Sequence, residues 1–354
     1  MIDWSAFTGD NGNIKTLSEL LFLAVVLGGN LSAVANVQTG VKSGKKIDGI
    51  MLTGLEGVAS QGCSPTYEKL ALKGVEKAWE LDEWQIARDI CYADIKGALK
   101  DIALKAGISV EDLTADQITT DVFVPYLKNS INDMLWRLAW FGDKDATNAT
   151  SGGVITDGVA TKYFTVTNGL FKRLFASVSA GDATRVTIAA NSETTFDKQT
   201  KGLFVKGTPM KIFDDLKYSA DYAVWERGDV QVLATKSLVD ALAWDIKESN
   251  KGGDLAYGDM INGLQTVKYN GMNIVELPIW DRMIRSYEKG AAAYNKPHRA
   301  VLASKTDLLI GTGSDNSLDQ FDYGYDRKAG SNWFKAKDTL GTQIVEDNLI
   351  TVAY

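Results

Sequence analysis

The sequence predicts an α+β protein, and three observations carry that prediction. A strand-like stretch within 46–90 places large aromatics on both of its faces. A long helix follows, marked by an unbroken apolar stripe. Beyond about Gly152, short strands and amphipathic helices mix until a final strand, NLITVAY.

Residues 1–45 gather Gly and Asn clusters around one apolar run, LLFLAVVL, and read as an arm that needs a partner surface. The run is too short to span a bilayer and lacks the basic flank of a signal peptide. In KAWELDEWQIA, Trp79 and Leu81 point one way and Trp84 and Ile86 the other, because strand side chains alternate. A monomer has little use for a ribbon oily on both sides, so these four are expected at an interface. The arm's Leu21 and Phe22 are expected there too. Ile95, Leu99, Ile102 and Ala106 then form a helical face stopped by Gly107, and Thr114 with Gln117 makes a capping-box pair.

The long helix carries Val124, Leu127, Ile131, Met134, Leu138 and Phe141 at spacings of 3, 4, 3, 4 and 3. Pro125 falls in its first turn, where an N–H has no partner to lose, and Gly142 ends it. Trp136 and Trp140 lie on a neighbouring face, directed at a sheet or an adjoining subunit. Farther on, Leu170, Phe171, Leu174, Phe175 and Val178 repeat at helical spacing. Thr208-Pro209 reads as an N-cap and N1 pair opening a helix that turns Ile212, Phe213 and Leu216 inward. A strand ending at Ala234 feeds a helix with Leu238, Leu242 and Ile246. VKYNGMNIVEL is a hairpin whose Asn270-Gly271 suits a type I′ turn, and RAVLA is a buried strand.

At 354 residues the chain is long for one core, so two subdomains or one elaborated fold are expected. With 38 basic against 45 acidic residues the net charge is −7, and no basic stripe exists to wrap nucleic acid. Cys63 and Cys91 form neither a disulfide framework nor a zinc spacing, which points to a reduced setting. The single histidine, His298, sits in a turn before a strand, where solvation or a hydrogen bond explains it better than catalysis. Asp143, Asp145 and Asp157 fail the EF-hand pattern, because its glycine and glutamate positions hold Asn148 and Val154. GVKSGKK is one residue short of a Walker A loop, and GLEGVASQG lacks the strand–loop–helix frame. Tyr287, Lys296 and Arg299 form at most a weak stacking platform. No catalytic residue, metal or cofactor is assigned. Rich in aromatics and poor in catalytic groups, the chain reads as a structural or assembly protein.

The ordered blocks ASQGCSPTY, KAWELDEWQIARDICYADI, MLWRLAWFGDKDA, GGVITDG, NGLFKRLF, IWDRMIRSYEKG, KPHRAVLAS and EDNLITVAY resemble major capsid proteins of tailed bacteriophages. The likeness is strongest to those of phages and prophages of Bacteroidetes hosts, which have the Hong Kong 97 capsid fold. It implies an N-terminal arm over 1–45 and an extended β-loop over 46–90 lying across a neighbour. It also implies a peripheral domain over 91–151, with a spine helix at about 122–142. A mainly axial domain would span 152–332, with C-terminal strands over 333–354 returning to the peripheral domain. The implied function is self-assembly as hexamers and pentamers into an icosahedral shell around double-stranded DNA. Portal and scaffold proteins, and a decoration protein, are the implied partners. Assembly in the host bacterial cytoplasm and residence in the virion follow. The arm is short for a cleaved scaffolding segment, so a separate scaffold or none is expected. No position is assigned to a Lys–Asn cross-link.

Two other classes compete. An encapsulin-type compartment shares the fold and is told apart by a cargo enzyme encoded beside it. A carbohydrate-active enzyme would line a cleft with aromatics and act as a monomer, against which the lone histidine and the oily arm both argue.

Overall fold

The computed structural model describes residues 30–52, 72–91, 124–249, 256–257, 260, 263–290, 292–315, 318–326, 328 and 331–354. The run 20–27 with Leu21 and Phe22, the helical face from Ile95 to Gly107, the Thr114–Gln117 pair and Cys63 lie outside them.

Strands β1 (Asn36–Gln38), β2 (Lys46–Leu52), β3 (Leu72–Ala78) and β4 (Asp82–Cys91) precede helix α1 (Val124–Phe141). Next come α2 (Leu170–Ala180), β5 (Thr184–Val186), α3 (Thr208–Ser219), β6 (Val230–Thr235) and α4 (Lys236–Glu248). Then follow β7 (Ala256–Tyr257), β8 (Thr266–Tyr269), β9 (Met272–Leu277), α5 (Pro278–Tyr287) and β10 (Ala300–Ser304). The chain finishes with β11 (Leu308–Gly311), β12 (Gln320–Asp326), β13 (Ser331–Ile344) and β14 (Thr351–Ala353).

A seven-stranded sheet runs in the order β5-β14-β10-β6-β9-β8-β7. Its central strands are mostly apolar because both faces are covered, with Gln231 and Thr235 in β6 and Asn273 and Glu276 in β9 among the polar exceptions. Alternation then deals their side chains to two cores. Val232, Ala234, Met272, Ile274, Ala300 and Leu302 face one core, together with α3 and α4. Leu233, Val275, Leu277, Val301, Ala303 and Val352 face the other, together with α1, α2 and α5. The β8–β9 turn has Asn270 at φ 48 and Gly271 at φ 79, the pair of positive values a type I′ turn demands.

A second, five-stranded sheet contains β1, β11, β13 and β12 in order, with β4 also paired to β13. Leu308, Ile310, Ala336, Leu340 and Ile344 from this sheet enter the same core as α1. Helix α1 therefore lies between two sheets. That explains why its burial exceeds the six-residue stripe: Leu135, Trp136, Ala139 and Trp140 are buried alongside Leu127, Ile131, Met134, Leu138 and Phe141.

Strand pairing and packing cross the expected boundaries at four places. Residues 30–38 belong to the body, since Leu31, Ala33, Val34 and Ala35 are core and β1 pairs in parallel with β11. Among the described residues of 46–90, β2 and β3 form a separate ribbon, while β4 joins the five-stranded sheet. From 152–332, β11 and β12 also join that sheet. Of the last strands, β13 stays there, but β14 crosses to the seven-stranded sheet and pairs with β5 and β10. Each crossing is a long-range pairing that no local pattern encodes.

The N-termini of α3 and α4 are closed by side chains from other elements. Thr208 is not the cap of α3: Gly207, at φ 86, takes that place. The buried Asp245 of α4 accepts from Gly207 N–H at 2.7 Å and Met210 N–H at 3.1 Å. Asp281 of α5 does the same for α4, accepting from Lys236 N–H (2.6 Å) and Ser237 N–H (3.3 Å). A carboxylate at a helix N-terminus satisfies orphan donors and complements the dipole.

At the exit of α1, Gly142 crosses Gly169 backbone to backbone, with Gly169 N–H donating to Gly142 O at 2.8 Å. A Cβ on Gly142 would stand 2.4 Å from Thr167 O, and one on Gly169 would stand 2.8 Å from Gly142 N. Gly142→Ala is therefore expected to cost about 1–3 kcal/mol of stability, the range for overpacking a tight site, read as a shift in the urea unfolding midpoint.

Candidate assembly surface

Among the described residues, His298 and the acidic loop after α1 are held by hydrogen bonds and ion pairs, while GLEGVASQG lies outside the described residues. His298 is buried, with Nε2–H donating to Gln199 O (3.3 Å) and Ser237 Oγ 3.0 Å from Nδ1. Burial pushes its pKa down to about 4, so the ring is neutral near pH 7. Asp143 pairs with Lys172 at 2.9 Å and accepts from Asp145 N–H at 2.9 Å. Asp157 accepts from Thr150 N–H and Oγ–H, each at 3.0 Å. These are turn-closing bonds. Among the described residues no cluster of three or more His, Cys, Asp or Glu is placed to hold a metal ion. No described helix is long and apolar enough to cross a membrane.

Tyr287, Lys296 and Arg299 turn onto the protein's own rings rather than forming a platform. Tyr287 packs on Phe164, and Lys296 Nζ sits 3.6 Å from the Phe175 ring centre and 3.9 Å from that of Tyr354. Arg299 is fully buried, bonded to Glu288, with its guanidinium 4.5 Å from the Phe171 ring centre. Trp136 and Trp140 are core as well, and Trp140 meets Trp280 edge-on at 4.6 Å.

What the body does present is a ribbon on a clamped root. Strands β2 and β3 pair antiparallel from Lys46↔Ala78 to Leu52↔Leu72, and in the described residues they pair with no other strand. A two-stranded hairpin by itself is marginal in water. GVKSGKK, the weak phosphate-loop match, is the turn into this ribbon. Gly40 N–H and Val41 N–H donate to Ser314 O and Thr312 O, and Gly44 N–H donates to Trp79 O at 2.8 Å. On the return side, Trp79 N–H donates to Lys45 O (3.0 Å) and Gln343 Nε2 to Ala78 O (3.0 Å). Lys77 is ion-paired with Asp347.

Below the root, the Trp79 ring covers Gly311, where an added Cβ would meet it at 2.6 Å. Val41 and Leu309 complete this small core, and Ile47, Leu81 and Val345 pack around it. Lys144 bridges Glu80 (2.6 Å) and Asp82 (2.8 Å), and Arg173 reaches Glu80 at 3.4 Å. The hydrogen bond from Lys144 holds the Glu80 carboxyl below its usual range.

Trp79 and Trp84 are therefore not free interface anchors. Each is 3% exposed inside its own chain. The expected pairs do stay together, Trp79 with Leu81 and Trp84 with Ile86, but not on one continuous ribbon, because a three-residue link, 79–81, separates β3 from β4. Trp84 and Ile86 then share one face of β4, opposite Asp338 and Ala336 of β13. Leu81 and Ile86 are half-buried against these local clusters.

No family model and no curated protein matches the sequence. Solved structures match the fold. A chain of the satellite phage P4 procapsid with size determination (Sid) protein aligns at a TM-score of 0.55 and 11% identity, over 95% of this chain and 98% of that one. A chain of the cyanophage P-SCSP1u capsid aligns at 0.47 and 14% identity, over 91% and 86%. A chain of the capsid of an empty GTA particle aligns at 0.48 and 9%, over 92% and 89%. The first of these shows that the chain has an α+β capsid fold.

Two measurements check this account. Trp84→Ala is expected to lower folding stability by about 3–5 kcal/mol in chemical denaturation, as a buried aromatic does. A second test concerns pH. His298 is depressed from 6.5, so the stability linked to its neutral ring is present above pH 6.5 and lost as pH falls toward about 4. Asp307 runs the other way. Burial raises it from 3.8 to about 6 despite Arg227 at 2.7 Å, so its cost is present above about 6 and relieved below. Between about pH 7 and pH 5, His298→Gln should flatten the acid loss of stability and Asp307→Asn should steepen it.

Proposed function

We propose that this chain is the major capsid protein of a tailed bacteriophage or prophage. On this reading it self-assembles as hexamers and pentamers into an icosahedral shell enclosing double-stranded DNA. The observation that carries the reading is the near end-to-end likeness to the procapsid chain, 95% of one and 98% of the other. The ribbon supports it, because a hairpin paired only with itself among the described residues gains stability by lying on a neighbour. A net charge of −7 suits a wall that packed DNA must slide past rather than bind.

In this reading α1 is the spine helix, β2–β3 is the loop across the neighbour, and the seven-stranded sheet belongs to the part that meets its copies around the symmetry axes. Leu21 and Phe22 of the arm, with the exposed parts of Leu81 at the ribbon root and of Ile86 on β4, supply apolar contacts between subunits. Portal and scaffold proteins, and a decoration protein, are partners. Assembly occurs in the host bacterial cytoplasm, and the protein resides in the virion.

Electron microscopy of the purified full-length protein tests the proposal. Closed shells, or hexamers and pentamers, are expected. A monodisperse monomer at high concentration overturns it.

A further inference from the structure

Charge is unevenly distributed around helix α3. From Lys198 to Lys211 the sequence holds four lysines and no acid, and from Ile212 to Glu226 four acids and one lysine. That lysine, Lys217, is already engaged by Asn270 O at 2.6 Å. The segments lie toward opposite ends of α3, whose twelve residues at 1.5 Å per residue span about 18 Å.

Both ends face solvent. Lys201, Lys206 and Lys211 are exposed, and no carboxylate among the described residues lies within ion-pair range of them. At the other end Tyr218 is 74% and Tyr222 88% exposed, with Glu226 also exposed and Asp215 half-buried. Two protruding tyrosines flanked by acids form an amphipathic anchor without an intramolecular pocket.

We propose that this region is a head-to-tail contact between copies of the chain. Lys201 and Lys206 of one copy dock against Asp215, Tyr218, Tyr222 and Glu226 of the next. The partner is a second copy because each copy carries both complementary halves at separate places. Such a heterologous contact repeats into a ring instead of closing as an isologous pair. Complementary charge sets the register and speeds encounter, while the tyrosines supply buried area. The inference rests on the shell reading and specifies which surface builds its rings.

Charge reversal in the full-length protein tests it, with circular dichroism and thermal melting used to confirm folding. Lys201→Glu with Lys206→Glu is expected to cut particle yield about tenfold or more, since like charges then oppose each other. Asp215→Lys with Glu226→Lys is expected to do the same. Combining all four restores the pairing with its sign reversed and should bring yield back to near the wild-type level. Normal yield from either two-residue variant overturns the contact, as does a folded four-residue variant that fails to assemble. Nucleic acid that co-purifies with the wild type and is lost only when the lysines are reversed would assign them to nucleic acid and also overturn the pairing. A wild type that never forms rings or shells sinks the shell reading itself, whereas a wild type that assembles while the variants disobey this pattern sinks only the contact.

Discussion

Three rings from three helices hold the molecule's layers in register. Trp140 of α1, Phe171 of α2 and Trp280 of α5 meet pairwise, at 5.2 Å, 4.8 Å and 4.6 Å between ring centres. Such pairs contribute roughly 0.5–1.5 kcal/mol each beyond the area they bury. Arg299 closes the group from the β10 side, over Phe171 and Phe141. Its charge is tolerable because Glu288 pairs with it and the carbonyls of Lys296 and Asn295 each accept from it at 2.9 Å. Loss of one member of such a pair leaves an uncompensated buried charge, at roughly 3–5 kcal/mol. The joint is therefore complete or badly broken, with little between. It also requires Gly142 and Gly169, because a side chain at either would hold α1 and α2 apart.

From that joint the two-core arrangement follows. The seven-stranded sheet sends alternate side chains to the α1 core and to the α3–α4 core. A slip of one residue in β6 or β10 would exchange the two sets, so register is fixed from both sides at once. Asp245 and Asp281 add directional ties, each holding the first turn of one helix from the body of another. Apolar burial sets which layers touch, and these carboxylates set how the helices are aligned within a layer.

The parts legible in the sequence are those whose signal is local. The 3–4 spacing from Leu127 to Phe141 corresponds to a buried helix face, Asn270-Gly271 to a turn, and RAVLA to a strand buried on both faces. What resisted reading depends on partners far along the chain. Trp84 looks like an interface residue until β13, some 250 positions later, supplies the other half of its sheet. Thr208 looks like a cap until Asp245 is seen to do that work. Arg299 looks like part of a weak stacking platform, and no local pattern announces that it is buried with Glu288. GVKSGKK looks like a defective phosphate loop, yet its glycines serve a turn. In the candidate assembly surface, the ribbon was legible as strand, but not the point at which it stops being ribbon and becomes body, so the aromatics read as its two faces belong to the root and to β4.

That point matters mechanically. The strand leaving the ribbon root, β4, pairs with β13 through ten residue pairs, from Cys91 to Asp82. The far end of β13 pairs with β11 and then leads within a few residues to β14 in the other sheet. Arg173 of α2 bonds Thr342 and Gln343 on β13 and Glu80 at the root, tying the ribbon to the aromatic joint as well. A force on β2–β3 would thus reach both sheets through hydrogen-bonded strands and a buried indole, not through a free linker. A tether fixes only how far away a partner can be. A ribbon rooted in this way also fixes its direction, so the angle at which it leaves the body is a property of the fold.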